Sequence, residues 1–227
     1  MKERAKDGYE EKQRLGFFDQ DGTAVMLLTK TGELVILSFM WLIASLPIVT
    51  IGAASSALYY SVVKSIRKSR GYPAKEFINA FKACIKNATY ITLIGLMWGV
   101  AIFKLIDVAA AMKNTHGSFL MRVYTVLAAL SIGFLIYAFP VISRFKLEFK
   151  KIMELTFVIM VRNIHYTLLM LILAGGIIWI FLFRLPMVLM VFLPSLWTLF
   201  ISFPIEKAMR KYMPDPKKED KDKWYYV

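Results

Sequence analysis

Side chains able to do chemistry inside the apolar runs of this chain are few, and the densest group is Pro47, Thr50, Gly52, Ser55 and Ser56. They lie within LVILSFMWLIASLPIVTIGAASSALYYSVV, an uncharged stretch from Leu34 to Val63. Pro47 removes a backbone donor and disfavours helix at Leu46, and Thr50, Ile51 and Gly52 can turn the chain. The stretch therefore reads as two helices joined by a tight bend. Two readings of the bend stand side by side. Free backbone donors and the positive end of a helix dipole near the membrane would bind an anionic group, as the broken helices of transporters do. Alternatively, Gly52, Ala53, Ser56 and Ala57 let the two helices approach closely, and the bend is a packing device.

The remaining candidates offer less. A charge at a bilayer centre costs at least about 2.5 to 3.5 kcal/mol and is kept there only for use, and the centres of the apolar runs carry none. Lys104 and Asp107, one turn apart, are expected to form a helix-surface ion pair with a snorkelling lysine. His165, beside Arg162, is expected to be a solvated imidazole at the inner interface. No Ser, His, Asp triad and no paired catalytic carboxylates can be built from residues in the apolar runs. Walker A and dinucleotide-binding patterns are absent from the sequence. One cysteine, Cys84, excludes an internal disulfide, and His116 and His165 make no cluster of soft metal ligands. The expectation is a protein without enzymatic activity, cofactor or metal.

The elements that hold these residues follow from composition. Hydrophobic residues make up 58% of the 227, and mean hydropathy is +0.54, above the usual apolar share of a soluble domain. The net charge of +13 sits between the apolar runs. Positive-inside bias and anionic lipid head groups account for it there, so the bilayer and not nucleic acid is the expected partner. Residues 1–16 read as a cytoplasmic tail, 17–212 as a single helical membrane domain and 213–227 as a second cytoplasmic tail. The first residues lack the apolar core and cleavage site of a secretory signal, so the first span is expected to act as an uncleaved insertion signal.

Within the membrane domain the fold class is all-α, a polytopic protein of about six spans. Asp21 or Thr23 is expected to cap a short lead-in helix. Spans are expected at about 34–46, 53–64, 88–108, 119–141, 163–183 and 187–205, the first two short for the roughly 20 residues that a crossing needs. Two amphipathic helices are expected on the cytoplasmic face. One carries Phe77, Ile78, Phe81, Cys84 and Ile85 opposite Lys75, Lys82 and Lys86; the other carries Phe145, Phe149, Ile152, Met153, Phe157 and Met160 opposite Lys146, Lys150 and Lys151. Lys82, Lys146 and Lys150 are candidate docking residues for a partner. With both termini inside, most Lys and Arg fall on the cytoplasmic side, leaving mainly Lys113 and Arg184 outside. A GxxxG spacing, Gly95 to Gly99, permits close helix contact.

A faint internal repeat runs through the chain. Phe81, Asn87 and Tyr90 match Phe157, Asn163 and Tyr166 at one offset, and LPIV, FPVI and FPIE each place proline near a span end.

The order WLIASLPIVTIGAASSALYY from Trp41, then GYPAKEFINAFKACIKN, FPVISRF and FPIEKAMRKY, resembles the YesL family of bacterial membrane proteins, a domain of unknown function. The similarity covers about Phe17 to Tyr212, and LPIVTIG followed by ALYY is its most specific part. Ser38 stands where the family pattern has asparagine. The resemblance implies a multi-pass protein of the bacterial cytoplasmic membrane, encoded beside carbohydrate importers and glycoside hydrolases, and it transfers no catalytic residue. The expected function is a non-enzymatic accessory component of carbohydrate uptake or utilisation, with a component of a carbohydrate ABC importer as partner. The alternative is a small transporter with its substrate site at the bend.

Overall fold

The computed structural model describes residues 23–112, 115–145, 147–183 and 192–212, and every regular element among them is helical. The first helix, α1, spans Thr23–Ala44. It joins the expected lead-in and first span without a break; Thr29 stays helical with its hydroxyl donating to the carbonyl of Val25 at 2.8 Å. Pro47, in extended backbone, stops it. A 3-10 turn, Ile48–Thr50, leads into α2, Ile51–Ser61, which widens into a π-helical turn at Val62–Arg67. Gly71, at φ +83°, makes the following turn in the left-handed region that glycine enters without steric cost. Pro73 then opens α3 at its first position, where a missing N–H leaves no hydrogen bond unmade.

The next helix, α3, runs unbroken over Pro73–Ala111. The fourth, α4, spans Thr115–Arg144 with Pro140 inside it. Then come α5, Phe149–Arg162, and α6, Ile164–Phe183, which meet at 90°. The last, α7, spans Leu193–Met209 with Pro204 inside it and ends in a 3-10 turn at Arg210–Tyr212.

Two side-chain contacts fix how α2 lies on α3. Gly52, at the start of α2, faces Ala88 and Thr92, and Lys64 Nζ, near its end, meets Glu76 Oε2 at 2.7 Å. The two are thus antiparallel over the first half of α3. Beyond Thr92, α3 continues to Ala111, about 28 Å more at 1.5 Å per residue, and there its neighbour is α4, with Gly95 against Leu135 and Trp98 bonded to Ser131. The core lies where α2, α3, α4, α5 and α7 converge, around Tyr59, Ala88, Tyr137, Val141, Ile152 and Ile205. A second cluster seats α1 on α2, through Leu34, Leu37, Ala57, Leu58 and Val62.

Six spans are expected from the sequence; among the described residues two helices, α3 and α4, are long and apolar enough to cross a bilayer, or three if α5 and α6 count as one broken span. The α1–α2 hairpin accompanies only half of α3, and residues 184–191, which include the start of the expected sixth span, lie outside the described residues. The first expected amphipathic helix is likewise not a separate element. It is the first half of α3, and an unbroken helix cannot both lie flat on an interface and cross it. Its apolar side closes the bundle, with Phe77, Ala80 and Cys84 buried while Ile78 and Ile85 are exposed. In α5 the same holds for Ile152, Ile159 and Met160, while Phe157 faces outward. The terminal segments 1–16 and 213–227 lie outside the described residues.

Candidate functional site

Two places gather polar side chains, the hairpin bend and the basic end of the bundle. At the bend, Pro47 is exposed and begins the 3-10 turn. Thr50 closes it, its hydroxyl reaching the carbonyls of Ala44 at 2.7 Å and Pro47 at 2.8 Å. The Thr50 N–H donates to Pro47 O and the Ile51 N–H to Ile48 O. Two of the backbone donors that an anion would use are therefore committed within the turn itself. Ser55 accepts a hydrogen bond from Trp41 Nε1 at 3.2 Å, tying α2 back to α1. Ser56 is fully buried and its hydroxyl has no hydrogen-bond partner among the described residues.

Gly52 is the tightest point. A Cβ there would lie 2.0 Å from Thr92 Oγ1, 2.5 Å from Phe139 Cε1 and 3.1 Å from the Ala88 carbonyl oxygen. Its φ is not positive, so the position needs the absence of a side chain and not unusual backbone angles. At a separate interface, Ser38 and Ser195 share a buried hydrogen bond of 2.6 Å between α1 and α7.

At the opposite end of α2 the structure assembles a charged network that the sequence reading did not identify. Arg144, at the end of α4, and Glu206, in α7, form a two-pronged ion pair: Nε donates to Oε1 at 2.8 Å and Nη2 to Oε2. The Tyr59 hydroxyl donates to the same Oε1 at 2.9 Å. Only 2% of the Arg144 side chain is exposed, so the pair is read by α2, α4 and α7 and not by solvent. Arg67, aimed by the π-helical turn, donates to the carbonyl and hydroxyl of Ser202 and stacks 4.2 Å from the Phe203 ring. Lys68 lies within electrostatic reach of Glu206, Arg67, Arg144 and Arg210; burial holds its ammonium below the ordinary lysine value, with Glu206 opposing and the three arginines reinforcing. The signal was present in the sequence, since Arg144 stands four residues after Pro140 and Glu206 two after Pro204, within FPVISRF and FPIEKAMRKY. Tyr59 belongs to ALYY. Nothing in either motif alone says that they meet.

Between bend and network lies an apolar cavity of about 430 Å³, lined by Trp41, Ser55, Tyr59, Pro140, Trp197, Ile201 and residues around them. A wider apolar groove of about 650 Å³ runs between α3 and α4 to the end of α5. The GxxxG pair divides there: Gly95 packs against Leu135, and nothing lies within 4 Å of where a Gly99 Cβ would stand.

The other sequence candidates remain apart. Lys82 and Lys150 are exposed, on α3 and α5, and Lys146 lies outside the described residues. Lys104 and Asp107 are both exposed and no ion pair joins them among the described residues, contrary to the expectation. His165 is exposed, its ring 4.1 Å from that of Tyr166. No group of three or more His, Cys, Asp or Glu suited to a metal ion occurs among the described residues.

No curated protein and no solved structure matches the chain. Residues 34–105, which carry the hairpin, the π-helical turn and most of α3, match the family described as protein of unknown function, DUF624, which includes the YesL proteins.

Proposed function

We propose that this protein is a non-enzymatic accessory component of the bacterial cytoplasmic membrane, serving carbohydrate uptake or utilisation beside an importer. The observation that carries the reading is the disposition of Arg144, Glu206 and Tyr59, which bond to one another across three helices and so act as a structural lock. A carrier needs polar groups free to exchange a substrate for water, and the cavity beside this lock is apolar. The link to carbohydrate rests on the resemblance to YesL proteins.

In this reading α3 and α4 cross the bilayer, and the α1–α2 hairpin enters from the inner side and returns. The hairpin is supported as re-entrant by its bend, which lies level with Thr92 while α3 runs on to Ala111. A re-entrant hairpin, like two full spans, returns the chain to the side it came from, so both termini remain cytoplasmic. Lys82, Lys146 and Lys150 are the polar residues offered to a partner.

Copurification from native membranes with mass spectrometry is the test. An importer component is expected with the wild type and is expected to be lost when the three lysines are changed to glutamate. Substrate flux in proteoliposomes carrying the protein alone would overturn the accessory reading in favour of transport. Cysteine labelling from outside intact cells at Lys218, under conditions where Lys113 is protected, would overturn the topology.

A further inference from the structure

The apolar cavity is a slot between two helices that run the same way. Both α4 and α7 lead to the Arg144–Glu206 pair, which ties their C-terminal ends together. Ile132, Ile136 and Pro140 line the slot from α4, and Leu193, Trp197 and Ile201 line it from α7 at one constant offset in the chain. The ion pair continues that offset to within one residue. Each of these walls is therefore about 12 Å long, at 1.5 Å per residue. Toward the basic end the slot is closed by Tyr59, which is buried and bonded to Glu206.

We propose that this slot seats one acyl chain of a bilayer phospholipid. Polarity, volume and depth select that occupant. Polar groups in the lining are spent within the fold: Trp41 Nε1 donates to Ser55, the Tyr59 hydroxyl to Glu206 and the Thr198 hydroxyl to Pro194 O. A sugar or other polar solute would lose its hydrogen bonds to water there and gain few in return. The volume of about 430 Å³ is nearly three times the roughly 150 Å³ of an apolar cavity that takes up benzene, room enough for a flexible chain. Along α4, Pro140 lies about 6 Å and Ile132 about 18 Å from Arg144. One leaflet of hydrocarbon is about 15 Å thick, half of the roughly 30 Å core. Arg210 and Lys211, exposed just past α7, mark the head-group level at that end, so the slot lies at the depth of the acyl chains. The proposal rests on α4 crossing the bilayer and not on the accessory role.

Trp197 lines the slot and is half-buried, whereas Trp98 lines the open groove between α3 and α4 and is 49% exposed. Two full-chain proteins, each keeping one of these tryptophans with the others replaced by phenylalanine, are reconstituted in phosphatidylcholine vesicles brominated in mid-chain. Bromine quenches tryptophan fluorescence on contact. Passing contact with bulk lipid favours the more exposed Trp98, so a seated chain is expected to show as quenching of Trp197 at least equal to that of Trp98. Ala174→Phe, which fills the slot from α6, is expected to remove most of the Trp197 quenching and to leave that of Trp98 unchanged. Weak quenching of Trp197 with Ala174 in place assigns the slot to the protein's own side chains and overturns the proposal. Full quenching of Trp197 in a folded Ala174→Phe protein overturns it too. Should that variant not fold, the ratio of the two quenching values with Ala174 in place decides alone. Bromine is present in both leaflets, so the outcome does not depend on which end of α4 faces inward, and outside labelling at Lys113 and Lys218 tests that separately.

Discussion

Asn87 and Asn163 hold matching places in two stretches that share phenylalanine, asparagine and tyrosine at one spacing, yet α3 runs straight through the first while α5 and α6 turn 90° at the second. At Asn163 the backbone leaves the helix, at φ −120° and ψ 41°. Its amide nitrogen Nδ2 donates to Ile159 O at 2.9 Å, and the Thr167 hydroxyl reaches Met160 O at 3.2 Å. Ile159 O keeps its helical bond from the Asn163 N–H as well, and Met160 O, the carbonyl the corner releases, is met by a side chain. Around Asn87 no such release occurs, because α2 lies along the helix like a splint, with Gly52 pressed onto Ala88 and Thr92. The second stretch meets a different neighbour. Gly133 of α4 faces the Thr167 methyl group, 3.0 Å from where a Cβ would be, which seats α6 beyond the corner. What differs is the surface that each asparagine's helix must pack against, and the lesson is that a shared local pattern leaves the bend undecided.

The comparison breaks most readily at Gly52. Gly52→Leu is expected to abolish folded, detergent-stable protein, because α2 would be driven off α3, whereas Gly99→Leu, with open space around it, should assemble normally. Even Gly52→Ala should cost about 1 to 3 kcal/mol, visible as a lower melting temperature in micelles. Equal yields of the two leucine variants would show that the splint does not exist.

The far end of the same splint depends on Glu206. Glu206→Leu leaves Arg144 buried without its carboxylate and is expected to cost about 3 to 5 kcal/mol, measured by denaturant titration in detergent. Adding Arg144→Met should restore much of that loss, since removing both charges also removes the desolvation penalty. If the double variant is as unstable as the single one, the pair does not act as a unit.

The corner itself can be sharpened next. Asn163→Ala should lose about 1 kcal/mol, the worth of a buried side-chain hydrogen bond, and Asn87→Ala should change stability by less than about 0.5 kcal/mol. A melting experiment in which both alanine variants behave alike would mean that the two asparagines do the same work.

The smallest effect concerns Lys64 and Glu76, which fasten the π-helical turn after α2 to the first turn of α3. Lys64→Gln should cost about 1 kcal/mol, since both side chains are only partly covered and water still screens the pair. Burial by itself would lower the Lys64 pKa, but the Glu76 hydrogen bond and charge, with Tyr60, raise it above 10.5. A raised lysine pKa means that its contribution is fully present below the unfolded value and is lost only as pH rises through the folded one. Melting curves of wild type and variant should therefore differ by a constant amount across neutral pH and converge only above 10.5; convergence near neutrality would remove the pair from the account.

Much of the site was legible. Pro47 and Gly52 announced the bend because backbone chemistry acts locally, and the apolar runs announced helices that fit a bilayer. The charged network was not legible, although Tyr59, Arg144 and Glu206 all stand in conspicuous motifs. Each looks like an ordinary interfacial residue until the packing of α2, α4 and α7 brings them together. The merging of the first amphipathic segment into α3 was hidden for a related reason, since Lys82 and Lys86 mark a polar side whether the helix lies flat or continues.

By itself the sequence determined an all-helical chain with apolar helices, a proline-stopped hairpin and basic residues gathered at the ends of the apolar runs, because helix period, proline sterics and charge solvation are set within a few residues. Tertiary structure decided where the hairpin stops along α3, which asparagine becomes a corner, and which arginine finds Glu206. Those outcomes depend on how closely two surfaces can approach, and Gly52 settles that by the side chain it lacks only once Thr92 and Phe139 are opposite it.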